Sequence, residues 1–150
     1  MTYWIFHIHL IAAISWIGGS VFMFILGVTL RDKEVQRAVY PHVGPIFGWF
    51  EMGALIVLLT SGYMLGDYYS LIQLIFANGA DELSYALKMK VSLVLILTIL
   101  TIIHFIIAYR TNNTERTKFE HLISRGSSML IFILNLFVMH YGIVLRNILN

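Results

Sequence analysis

The sequence predicts an all-α fold: an integral membrane, antiparallel four-helix bundle. Three observations predict it. Hydrophobic residues make up 59% of the 150 and charged ones only 12%, about half the charged share of soluble domains. The apolar residues gather into four runs, about 4–30, 43–66, 84–109 and 126–145, each near or above the roughly 20 residues that cross a bilayer. No soluble insert separates the runs, so residues 1–150 form a single transmembrane domain.

The first run, opening HIHLIAAISWIGGS, places His9, Ala12, Ala13, Trp16, Ser20 and Gly27 on one helical face. An ionisable side chain in a membrane helix usually faces the bundle interior, so this helix turns an imidazole inward. The run lacks a basic flank and a small-residue cleavage site, and reads as a retained helix rather than a signal peptide. The second run aligns Gly44, Gly48, Glu51, Ala54, Leu55 and Gly62, small residues that allow close helix packing. Pro41 and Pro45 bracket its start, where first-turn N–H groups need no partner. The third run puts Lys90, Leu97, Thr101 and His104 on one face. The fourth carries His140 near its end, with Asn135 on a different face.

The connections set the topology. Residues 31–41 and 110–125 hold seven of the ten Lys and Arg residues, which makes both loops cytoplasmic and leaves both termini outside. The membrane is then of the bacterial inner (cytoplasmic) type. The net charge of +2 reflects these topology determinants and gives no reason to expect nucleic acid. The middle connection contains SLIQLIFANG, too short to span; it is expected as a brief surface helix stopped at Asn78-Gly79. The absence of cysteine excludes disulfides, thiolate metal sites and covalent haem attachment.

Depth along the helices selects candidate ligands. Counted from the outer side, His9 and His140 lie about five residues in, at one level. His104 and His42 share a level near the cytoplasmic side. Two imidazoles facing one another across a bundle are what a b-type haem requires. The expectation is bis-His ligation by His9 and His140, with His104 and His42 as a second pair, so that the chain holds one haem b or two. Lys88 and Lys90 could neutralise propionates. Glu51, near mid-depth, either holds a proton or pairs with a histidine, and both states suit proton transfer.

Further residues carry a resemblance. His9-Leu10-Ile11 followed by Trp16 and Gly19, then Lys90-Val91-Ser92 followed by His104-Phe105 and Arg110, resembles HemJ-type protoporphyrinogen oxidases, small membrane proteins that bind haem b. Thr60-Ser61-Gly62 is similar to the related CopD-like copper-resistance domains. The resemblance implies haem ligation by His9, cofactor or substrate contact at Lys90, and matched positions at Trp16, Gly19 and His104. The chain departs from it in having no arginine between Phe22 and Leu30 and in carrying His140.

The expected function is therefore a membrane b-type haem protein for electron transfer. Its enzymic form oxidises a porphyrinogen and passes electrons to a membrane quinone or another respiratory-chain partner. The alternative is a CopD-like copper-handling protein using His together with Met23, Met52, Met64 and Met139. A third reading is an assembly subunit of a larger complex. Membrane lipid is the expected surroundings, and the glycine-bearing faces permit a homodimer.

Overall fold

A computed structural model describes residues 2–76, 81–110 and 118–149, with side chains described for 3–76, 81–110 and 126–149. The helices are α1 (Thr2–Thr29), α2 (Lys33–Tyr68), α3 (Ile72–Phe76), α4 (Glu82–Arg110) and α5 (Lys118–Leu149). No strand occurs among the described residues. Four of these helices are long and apolar enough to cross a membrane.

The first connection differs from expectation. The charged stretch after Arg31 is helical, and only residues 30–32 link α1 to α2. Asp32 caps α2, its carboxylate accepting from Glu34 N at 2.8 Å, and Glu34 adds negative charge to the first turn. Pro41 and Pro45 consequently lie inside α2. Each removes one helical hydrogen bond, a loss that membrane helices tolerate where neighbours meet the freed groups. At 36 residues α2 is about 54 Å long, longer than the roughly 30 Å of a hydrocarbon core. Part of the third connection, residues 111–117, lies outside the described residues.

The far end of α2 closes in a Schellman motif: Leu71 N bonds Gly66 O at 2.8 Å and Ser70 N bonds Asp67 O at 3.0 Å. The motif needs a left-handed residue, and Ser70 supplies it at φ 56°. Relieving that Cβ strain should stabilise the fold: Ser70→Gly is expected to gain roughly 1 kcal/mol, read as a higher midpoint in denaturing-detergent titration. Leu71, buried beyond the motif, starts the short α3, which packs with Ala86, Leu87 and Leu145 over one end of the bundle. Ser84 Oγ donates to Leu74 O, tying α3 to α4. The brief helix expected here is present, while Asn78-Gly79 falls outside the described residues.

One cluster forms the centre: Trp16, Leu55, Leu97 and Ile131, one residue from each long helix. The interior as a whole is unusual, since nine apolar and seven polar side chains are buried among the described residues. The outside is apolar instead, with Ile11, Ile46, Trp49 and Leu95 each more than 60% exposed. Water-facing monomers rarely carry such continuous apolar surface, and polar interiors inside apolar exteriors suit helices surrounded by lipid.

Candidate functional site: a polar chain inside the bundle

The buried polar residues follow from helical periodicity. Seven residues make nearly two full turns, so side chains seven apart share a face. His9 is seven before Trp16 and His104 seven after Leu97, and Trp16 and Leu97 are 4% and 0% exposed. Both imidazoles are half-buried against neighbouring helices. Nine residues make two and a half turns and reverse the face. His140 is nine after Ile131 and His42 nine before Glu51, the two being buried at 3% and 6%. His140 and His42 are accordingly exposed.

The structure therefore does not bring the expected imidazole pairs together within one chain. His140 packs edge-on against its neighbour Tyr141, on the side of α5 away from the bundle. His104 meets Ser127, Nδ1 to Oγ at 2.9 Å, and not His42. In each expected pair one imidazole, His140 or His42, is turned outward. His7 is also exposed, bonding Tyr3 O. The side chain of His121 lies outside the described residues.

At the His9 level, Ser61 Oγ donates to Val57 O at 2.5 Å, which commits its only proton. The same oxygen lies 2.8 Å from His9 Nδ1, so it accepts from an Nδ1–H. With the Ser61 proton on Val57 O, this contact favours the Nδ1–H tautomer, which leaves a lone pair on Nε2. Gly62 makes room for the ring: a Cβ there would lie 3.3 Å from His9 Cε1. Lys90 reaches inward from α4, its charge close enough to interact with His9 and its Nζ 3.7 Å from where a Cβ on Gly142 would be. Lys88 is half-buried at the same end. Four helices thus contribute to this level.

At mid-bundle, Trp16 Nε1 donates to Glu51 Oε1 at 3.2 Å. Asn135 Nδ2 donates to Ser20 Oγ at 3.0 Å, and Ser20 donates in turn to Trp16 O. Gly19, a matched position of the resemblance, lies against the ring of Phe47: a Cβ there would lie 2.8 Å from it. Beyond Glu51 a cavity opens between the helices. Glu51, His104, Ser20 and Ser128 supply its polar wall, and Met23, Phe47 and Ile131 complete it. Its volume is about 20 Å³, on a measure where one water needs roughly 10–15 Å³. It suits water and is far too small for a porphyrin.

Sequence reasoning missed three pairings of this chain: Ser61 with His9, Ser127 with His104, and Asn135 with Ser20, although Ser20 was expected on the inward face of α1. Only Asn135 carried a signal, as an amide within an apolar run. No group of three or more His, Asp or Glu among the described residues is arranged to hold a bare metal ion.

Fold and site together define a class: a bundle of four membrane-length helices with a file of hydrogen-bonded polar side chains through its interior. No family model, curated protein or solved structure matches the chain.

Proposed function

We propose that this chain is a multi-pass membrane protein that binds b-type haem through His9 and carries electrons. In this reading it sits in a bacterial-type inner membrane as an antiparallel bundle with both termini outside. The order of contacts supports the antiparallel arrangement: His9 pairs with Ser61, while Trp16, later in α1, pairs with the earlier Glu51 of α2.

The observation that carries the proposal is the state of His9. Metal-binding histidines characteristically donate one ring N–H to a fixed acceptor and offer the other nitrogen to iron. Ser61 supplies that acceptor. The residues fit one axial position. They do not fit the bis-His arrangement within a chain, because His140 faces away. When bound, haem supplies one-electron chemistry. The chain's part is to orient His9, with Lys90 placed to pair with a propionate or a substrate carboxylate. The resemblance to HemJ-type enzymes supports a porphyrinogen as electron donor and a membrane quinone as acceptor.

The copper alternative has less support. Of its methionines, Met23 alone shares a cavity with a histidine, and Met64 and Met139 are exposed. Pyridine haemochrome and metal analysis of the detergent-purified protein separate the readings. One haem per chain with no retained copper is expected, and a colourless protein that retains copper would overturn the proposal. Ser61→Ala should lower haem affinity by about 10–100-fold, the usual effect of removing the partner that orients a ligating histidine, measured by haem titration of the apoprotein.

A further inference from the structure

The cavity beside Glu51 is not used by the haem reading. Glu51 and His104 are the two titratable groups on its wall, contributed by α2 and α4. Among the described residues the other two long helices present no charge there: α1 presents Ser20 and Met23, and α5 presents Ser128 and Ile131. A carboxyl, an imidazole and two hydroxyls thus surround space for about one water. A cavity with polar groups on its wall and room for about one water suits an ordered water. A second buried feature lies on α4 but not on the cavity wall. Thr101, 0% exposed, lies one turn before His104 on the inward stripe of α4, and its Oγ1 meets no partner among the described residues. Orphan buried hydroxyls are rare, and an ordered water is a common explanation.

We infer that this cavity is a water-bearing proton relay between Glu51 and His104. The Glu51 carboxyl gives its O–H proton to the water, and the water passes one of its own protons to an imidazole nitrogen of His104. The carboxyl becomes a carboxylate, the imidazole an imidazolium, and the water is regenerated. No electron moves, so the step needs neither oxidant nor reductant. The Trp16 N–H, already on Glu51 Oε1, stabilises the carboxylate that forms. The relay joins mid-bundle to the end where α4 finishes, whereas His9 and Lys90 occupy the opposite half.

Infrared spectroscopy of the full-length protein in lipid tests this without reference to haem. The protonated carboxyl of Glu51 is identified as the C=O band missing from Glu51→Gln, at a pH acid enough to populate it. On transfer to D₂O the wild-type band should shift at once, because the relay gives the carboxyl access to solvent protons. His104→Gln, which retains a polar amide that can face Ser127 but no group able to take the proton, should slow the shift by roughly a hundredfold, the low end of what a positioned proton-transfer group contributes. Ser128→Ala, which removes a hydroxyl from the cavity wall, serves as a second variant in case His104→Gln folds poorly, and should also slow exchange. Slow exchange in the wild type, or exchange as fast in both variants as in the wild type, would overturn the relay. Either result leaves the haem reading untouched, since haemochrome analysis decides that separately.

Discussion

His9→Ala is expected to yield a protein with no bound haem, while His140→Ala keeps the wild-type amount. His9 is half-buried and His140 is exposed. His9 is turned toward Ser61 and Lys90 and has its Nδ1–H tautomer favoured by Ser61; His140 is exposed on the far side of α5. In the proposed reading His9 is the residue that would hold the iron, and the imidazoles of His42 and His140 are exposed. His104→Ala should also retain haem, because that ring belongs to the opposite end with Ser127. The check is the Soret absorbance per chain of the three variants purified side by side. Retention of full haem by His9→Ala would remove the central residue of the proposal. Loss of haem from His140→Ala would instead place the iron at the outer face of α5.

Trp16→Ala should bring the largest loss of stability. The indole is 4% exposed, at the point where all four long helices meet. Truncating a buried Trp in a water-soluble core costs about 3–5 kcal/mol. Part of that cost is transfer from water, which helices already dissolved in lipid do not recover. The cavity and the broken Trp16–Glu51 hydrogen bond remain, and together they should cost about 2–3 kcal/mol. Trp16→Phe keeps most of the volume and loses the N–H donor, for an expected cost of about 1 kcal/mol. Denaturing-detergent titration of the two variants separates packing from hydrogen bonding. Equal losses in both would mean that the bond to Glu51, and not the packing, holds the centre.

Much of the architecture was legible because it depends on period and composition. The four spans, the inward stripe of α1 from Ala12 through Trp16 to Ser20, and the Leu97–Thr101–His104 stripe of α4 all follow from apolar runs with polar residues at helical spacing. The start of α2 was misjudged because the prolines were given more weight than Asp32. A good N-cap at Asp32, eleven residues before the expected start at about 43, with Glu34 after it, began the helix early and carried it through Pro41 and Pro45.

The site was only half legible. Composition and helical repeat alone establish a chain of four apolar helices that turns His9, Glu51, Lys90 and His104 toward its interior, since a polar group in an apolar helix must find protein rather than lipid. The tertiary structure alone decided which of them meet. It put Ser61 on His9, Ser127 on His104 and Trp16 on Glu51, and it turned His140 and His42 outward. The reason is rotational. Counting residues gives height along a helix to within a turn, but which side faces a neighbour depends on how all four helices pack against one another. Half a turn separates a buried ligand from a side chain in lipid.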